Sequence, residues 1–300
     1  MGSPAETHVV AGAIADADGR VLIAQRPRGR HMAGRWEFPG GKLAEGENPL
    51  AGLKRELTEE LGVTVREARP LIRLRHEYSD RRVLLDVWQV TAYEGEPQAL
   101  EAQALAWVRP DELPRHDMLE ADRAIVTALR LPRLARVLAP GEALQSIRGS
   151  AAQTIFWPLA EDGPVGLEPD AVAVARAAGH RIFVLGVDVD AARVAAMAGC
   201  DGVVLRWMGQ NLHVDRSGAF LVGVHCEDAE GAAQAVAEGA HFLVIAPEDG
   251  TMSERLLERL CVIIGRPVFA GWYPDARRLE RLQQLGAHGC AVRRQAGIVC

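Results

Sequence analysis

Lysine is almost missing from this chain of 300 residues. Lys42 and Lys54 are the only two among 34 basic side chains, and the other 32 are arginine. We read this as compositional bias. A positive excess is missing as well: 40 acidic residues leave a formal charge of −6. Such a balance argues against a nucleic-acid polymer as partner, because phosphate contacts need a basic footprint. No apolar run reaches the length of about 18 residues that a membrane helix needs. The opening stretch MGSPAETHVVAG has no basic segment followed by an apolar one, so no secretory signal is expected. Cysteine is sparse: Cys200, Cys226, Cys261, Cys290 and Cys300 form no C-x-x-C pair. Free thiols in a reducing, cytoplasmic compartment are the expectation. Aromatic residues make up only 5%.

What is present is enough chain for two domains, at about 150 residues each. The texture changes near Leu131 while the charge does not; residues 1–130 and 131–300 each carry a net −3. The first part alternates strand-like runs with one strong helix. HVVAGAIAD and RVLIAQR read as a hairpin across Ala17–Gly19, and WEFPGGKL as a short strand broken at Pro39-Gly40-Gly41. Asn48, Pro49 and Gly62 mark the start and end of a helix. Strands at PLIRLRHEY, RRVLLDVWQVTAY and LAWVRP follow, then a helix near Glu120–Leu129. This order predicts an α/β/α sandwich with a mixed sheet over residues 1–131. In residues 132–300, eight strands alternate with helices. That pattern predicts a compact (β/α)₈ barrel of TIM type, with a doubly wound open sheet as the alternative. The apolar stripe Leu256, Leu257, Leu260 and Ile263 reads as core.

The strong helix is unusual for its carboxylates. Glu56, Glu59 and Glu60 stand at i, i+3 and i+4 and share one face. Like charges so placed repel by roughly 0.2–0.5 kcal/mol per pair. A solvated acidic helix is one reading. The other is a cation site, since carboxylate and phosphate oxygens suit Mg²⁺ or Mn²⁺. Arg55 can orient a carboxylate by a bidentate pair. Glu47 can cap amides or order the preceding loop. Gly40 and Gly41 let the backbone approach a ligand.

These residues fill every specified position of G-x5-E-x7-R-E-U-x-E-E-x-G-U, where U is bulky and aliphatic: Gly41, Glu47, Arg55, Glu56, Leu57, Glu59, Glu60, Gly62 and Val63. The string resembles the signature of the Nudix hydrolases, and IAQRPRGRHMAGRWEFPGGK resembles their MutT type. That resemblance implies a Mg²⁺-dependent enzyme that converts oxidised guanine nucleotides (8-oxo-dGTP) to the monophosphate and pyrophosphate. It implies a free nucleoside triphosphate as partner. It also implies metal held by the Gly40 carbonyl with Glu56, Glu59 and Glu60. EGEPQALEAQALAW places a further carboxylate at Glu101. Arg26 and His31 would lie by the phosphates or sugar, and Phe38 and Tyr78 would line the base pocket. Where the family often carries a base-reading Asn, this chain has Asp122, which must be protonated to imitate an amide. Asp117 is an alternative for that role.

The later part resembles thiamine-phosphate synthase and its TenI relatives, through LARVLAP, AAMAGCDGVVL, LVGVHCEDAEGAAQAVAEGAHFLVIAP and PVFAGW. It departs at the places the resemblance needs. TIFWPLAED lacks the Gln-x-Arg-x-Lys cluster, VDVD keeps at best Asp188 or Asp190, Asn211 stands where an acid follows Gly-Gln, and EDGTMSE replaces the phosphate loop. A degenerate synthase domain is therefore expected. It would be structural or would bind a phosphorylated metabolite, with His225, Arg293 and Arg294 as candidate contacts. The fusion also admits a thiamine-pathway pyrophosphate as the alternative hydrolase substrate.

Overall fold

A computed structural model describes residues 6–29, 31–78, 81–138, 151, 153–158, 167–186, 189–212, 220–246, 253–273 and 276–293. The chain divides into two compact units: Met1–Arg130 with Cys261–Gly265, and Leu131–Leu260 with Arg266–Cys300. No helix among the described residues is long and apolar enough to cross a membrane.

In the first unit, β1 (Glu6–Ile14) lies parallel to β6 (Arg82–Glu94) and antiparallel to β4 (Gly40–Lys42), while β5 (Thr64–Glu77) pairs antiparallel with β6. These four strands form a mixed sheet in the order β4-β1-β6-β5. A second, antiparallel sheet joins β3 (Trp36–Glu37), β2 (Val21–Gln25) and β7 (Ala104–Val108). The expected hairpin between the first two strands does not form. The chain does turn at Asp16, whose carboxylate accepts bonds from the amides of Asp18 and Arg20 and from the Arg20 guanidinium. Beyond one bridge at Ala15 and Val21 the strands part, because each finds a longer partner in a different sheet. WEFPGGKL likewise forms two strands, one in each sheet.

Helix α1 (Pro49–Leu61) buries Leu53, Leu57 and Leu61 against Val10, Ile14, Leu22 and Val90. Helix α2 (Arg123–Leu129) buries Ala124, Ile125 and Ala128 in a separate cluster with Ala11, Ala13, Leu74 and Leu85. Successive β1 residues point to opposite faces, so one strand serves both cores. This is the two-faced arrangement of the expected sandwich.

The second unit is a closed barrel of eight parallel strands. They are β8 (Leu134–Val137), β9 (Thr154–Pro158), β10 (Arg181–Gly186), β11 (Gly202–Arg206), β12 (Leu221–Cys226), β13 (Phe242–Ile245), β14 (Val268–Tyr273) and β15 (Gly289–Arg293). Helices α3 (Pro169–Ala177), α4 (Val189–Met197), α5 (Ala229–Ala237), α6 (Glu254–Ile264) and α7 (Leu279–Gln284) lie between them in sequence. Closure rules out the open doubly wound sheet. Four of the chain's six phenylalanines fill the interior. Phe156, Phe183, Phe242 and Phe269 close an edge-to-face ring, with centroids 5.1–6.2 Å apart. Such pairs contribute about 0.5–1.5 kcal/mol each beyond area burial. Gly202 and Gly223 leave room for these rings; a Cβ on Gly202 would stand 2.8 Å from Phe183, and one on Gly223 would overlap Phe242.

The apolar stripe expected as core on α6 is divided between core and solvent. Leu257, Leu260, Cys261 and Ile264 are buried, whereas Leu256 is 40% and Ile263 57% exposed. The i, i+3, i+4, i+7 face is the one that packs. Cys200, Cys226, Cys261 and Cys290 are buried and none is in a disulfide, and burial pushes the thiols of Cys200 and Cys226 up to about 12. Cys300 lies outside the described residues.

Candidate active site

Local chemistry sets α1 in place. The Asn48 side chain accepts bonds from the Leu50 and Ala51 amides, Pro49 opens the helix, and Gly62 closes it at φ +70° with its amide on the Thr58 carbonyl. Glycine adopts that left-handed backbone with the least strain. The flank beside the buried leucines carries the carboxylates, with Glu56 and Glu60 partly buried and Glu59 exposed.

Arg55 binds most of them. Its guanidinium makes two bonds to Glu47 (3.0 and 2.9 Å), one to Glu56 (2.8 Å) and a longer one to Glu59 (3.3 Å). It also reaches the Lys42 carbonyl at 3.2 Å. Arg55 and the Ala44 amide hold the Glu47 carboxyl down to about 2. Glu47 thus orders the loop before the helix, and Arg55 is a clamp on carboxylates.

Glu60 has a different environment. Its carboxylate accepts the Gly40 amide at 3.0 Å. Burial pushes its pKa up to about 7, and the charges of Glu101, Glu37 and Glu56 add to the rise. Gly40 sits at φ +149°, where a Cβ would overlap the Val10 carbonyl; a Cβ on Gly41 would overlap the Glu56 carboxylate. The chain therefore threads between β1 and α1 only as glycine. The Gly40 amide thus ties this turn to the Glu60 carboxylate.

The loop before β7 brings Glu101 near. The Glu101 amide donates to the buried Gln103 side chain (2.9 Å), which donates in turn to the Glu60 carbonyl (3.2 Å). Ala102 adopts a positive φ of 59° in this turn. Gln103 carries no signal in the sequence, because an amide that joins backbone to backbone belongs to no pattern of charge.

The donor set is all oxygen and carboxylate-rich, the chemistry a hard divalent cation prefers. Mutual repulsion at the half-buried Glu60 favours positive charge there. Among the described residues, however, no three acidic, His or Cys side chains converge closely enough to form a closed metal cage. Arg55 draws Glu56 and Glu59 toward itself.

A second group of residues adjoins the carboxylates through Glu37. Glu37 pairs with Arg26, whose guanidinium also donates to the His31 carbonyl at 2.8 Å. His31 is exposed and meets Arg26 through backbone. Phe38 is buried, and its amide donates to Asp122 at 3.2 Å. Tyr78 is half-buried, edge-on to His76, with the Arg81 guanidinium 5.3 Å above its ring. Burial first, and then the Asp122 charge, raise the Tyr78 hydroxyl pKa. Asp122 lies at the start of α2 without capping it. Burial pushes its carboxyl up to about 8, with Glu37 contributing. Asp117 is exposed beside Arg35 at 3.8 Å, which leaves Asp122 as the acid facing the interior. The structure thus gathers Arg26, Phe38, Tyr78 and Asp122, and adds Glu37, which the sequence reading passed over.

In the barrel, Asp190 is exposed and pairs with Arg193 on its own helix at 3.5 Å. His225 bonds the Ala246 carbonyl at 3.3 Å. Asn211 is exposed. Asp188, Arg294, the Arg293 side chain and most of EDGTMSE lie outside the described residues.

Residues 10–128 match the NUDIX domain family. The CTP pyrophosphohydrolase of Escherichia coli (strain K12) is 39% identical over 127 residues, which span 42% of this chain and 94% of that protein. The 8-oxo-dGTP diphosphatase of Proteus vulgaris is 45% identical over 89 residues, 30% of this chain and 80% of that protein. The solution structure of the E. coli ORF135 protein is 38% identical, covers 43% of this chain and 91% of that one, and gives a TM-score of 0.39. This chain belongs to the Nudix family, hydrolases of phosphoric anhydrides.

Proposed function

We propose that the first unit hydrolyses a nucleoside triphosphate to its monophosphate and pyrophosphate, with 8-oxo-dGTP as the favoured substrate. The observation that carries the base preference is Asp122. Near neutral pH this buried acid is protonated and offers one O–H donor beside one acceptor. That pair complements the N7–H and O6 of an 8-oxoguanine. Ordinary guanine presents two acceptors there, N7 and O6, and leaves one of them without a donor. The N3 and N4 amino edge of cytosine also offers an acceptor beside a donor. A cytidine triphosphate is therefore the second reading, in keeping with the pyrophosphohydrolase of E. coli.

Phe38 and Tyr78 would flank the base, while Arg26 and His31 would face the sugar or phosphates. A divalent cation, Mg²⁺ or Mn²⁺, held by Glu56, Glu59, Glu60, Glu101 and the Gly40 carbonyl would neutralise charge on the phosphate oxygens. Arg55 acts as a positioning residue for three of the helix's and loop's carboxylates. Water adds to phosphorus as the bridging P–O bond breaks, and its proton passes to a carboxylate of this set. A role in sanitising the nucleotide pool, and so in limiting mutation, follows from such a substrate. The barrel lacks the acid and cation pattern of a synthase, and we assign it no catalysis.

The test is release by the full chain with Mg²⁺ of pyrophosphate from 8-oxo-dGTP, dGTP and CTP, and of orthophosphate from thiamine pyrophosphate. A kcat/KM for 8-oxo-dGTP about tenfold or more above dGTP is expected. Equal rates across the panel would overturn the base reading. A Glu59→Gln variant with full activity would overturn the metal assignment.

A further inference from the structure

The barrel carries a cavity of about 660 Å³ at the carboxyl ends of β11 and β12. This is the end where barrels of this kind build ligand sites, and the volume suits a small organic molecule. Its walls include Arg206, Trp207, Met208, His225, Glu227 and Glu230.

The floor of this cavity is ordered by hydrogen bonds. The Trp207 amide continues the ladder onto the His225 carbonyl at 2.9 Å. Gln210 ties the following turn, donating to the Arg206 carbonyl (2.8 Å) and accepting from the Met208 amide (2.7 Å). The indole N–H of Trp207 donates to Gln234 on α5 at 3.2 Å. Trp207 also packs on Gly231, where a Cβ would come within 2.8 Å of the ring. A half-exposed tryptophan held this way at a cavity wall is a ready stacking platform.

The charge of the walls selects the ligand. Among the described residues that line it, one guanidinium, Arg206, faces three carboxylates: Glu227, Asp228 and Glu230. Arg206 is paired with Glu227 at 2.8 Å. The amide end of α5, where an anion could bind, is capped by the Asp228 carboxylate on the Gly231 amide at 2.8 Å. A phosphate would meet repulsion here. An aromatic cation would meet an indole and an acidic rim.

We propose that this cavity binds a planar, cationic, unphosphorylated heteroaromatic ligand, stacked on Trp207 with its charge toward Glu227 and Glu230. The site is independent of the hydrolase reading.

Calorimetry of the full chain with 1-methylquinolinium tests it, with 2-naphthoate and inorganic phosphate as anionic comparisons. One saturable site for the cation is expected, and weaker binding as salt rises. Trp207→Ala should weaken binding about tenfold, Glu230→Gln several-fold, and Trp207→Phe least. Glu59→Gln should bind as the parent does, which separates this site from the nucleotide site. Absence of saturable heat, binding unchanged in Trp207→Ala, or naphthoate binding as tightly as the cation would each overturn the proposal. Should Trp207→Ala fail to fold by circular dichroism, the exposed Glu230→Gln carries the test: affinity and salt dependence equal to the parent would refute it.

Discussion

Asp122 in the first unit and Asp201 in the barrel are both buried acids in opposite circumstances. Asp201 is fully answered: Arg176 and Arg181 reach one oxygen at 3.1 and 3.0 Å, and the Ile182 amide reaches the other at 2.9 Å. Asp86 of β6 is answered likewise by Arg73 and His8. Asp122 is held, among the described residues, by a single backbone amide and is pushed up to about 8. A buried charge that has its partners does structural work, whereas one left without them is available for a ligand. The same contrast separates Glu47, locked to Arg55, from Glu60, raised to about 7 by burial and neighbouring carboxylates.

Three experiments can break or sharpen this comparison. The largest effect should come from Glu60→Gln, which lowers kcat/KM by roughly 10²- to 10⁴-fold while leaving the urea-unfolding curve of the barrel in place. Retention of more than a tenth of the activity would show that Glu60 is structural, like Asp201. Next is Phe242→Ala, which opens the aromatic ring of the barrel and costs about 3–5 kcal/mol in denaturant unfolding. A loss under 1 kcal/mol would mean that the ring packs loosely. The smallest effect is Asp122→Asn. An amide offers the same donor and acceptor as the neutral acid, so selectivity at pH 7 should change less than about threefold. A raised pKa means the proton is present below about pH 8 and leaves above it. The parent should therefore lose preference for 8-oxo-dGTP over dGTP between pH 7 and 9, and the variant should keep it. Parallel profiles for the two proteins would remove Asp122 from base recognition.

Much of the fold could be read directly from residue patterns. Eight apolar runs, five of whose intervals carry a helix among the described residues, set out the barrel strands, and Asn48, Pro49 and Gly62 bounded α1. Each of those signals is local: a cap, a period, a turn. The misreadings share one cause. The strands on either side of Asp16 look like a hairpin because the turn is genuine, yet the strands they pair with along their length are 76 to 87 residues away. Leu256 and Ile263 look like core because they are apolar, but their side of α6 faces outward. At the site, Glu56, Glu59 and Glu60 were legible from spacing alone. Glu37 and Gln103 were not, since their importance lies in what crosses to them from other elements.

By itself, then, the order of residues determined the carboxylate face of α1, the glycines that let the chain pass beside it, and the alternation that builds a barrel. The carboxylate spacing and the alternation depend on neighbours within a turn or two, while the glycines are visible as residues even though what they clear is distant. Only the tertiary structure decided the state of each carboxyl group. Whether an acid is held down near 2, as Glu47 is, or lifted toward 8, as Asp122 is, depends on desolvation and on charges brought from distant parts of the chain.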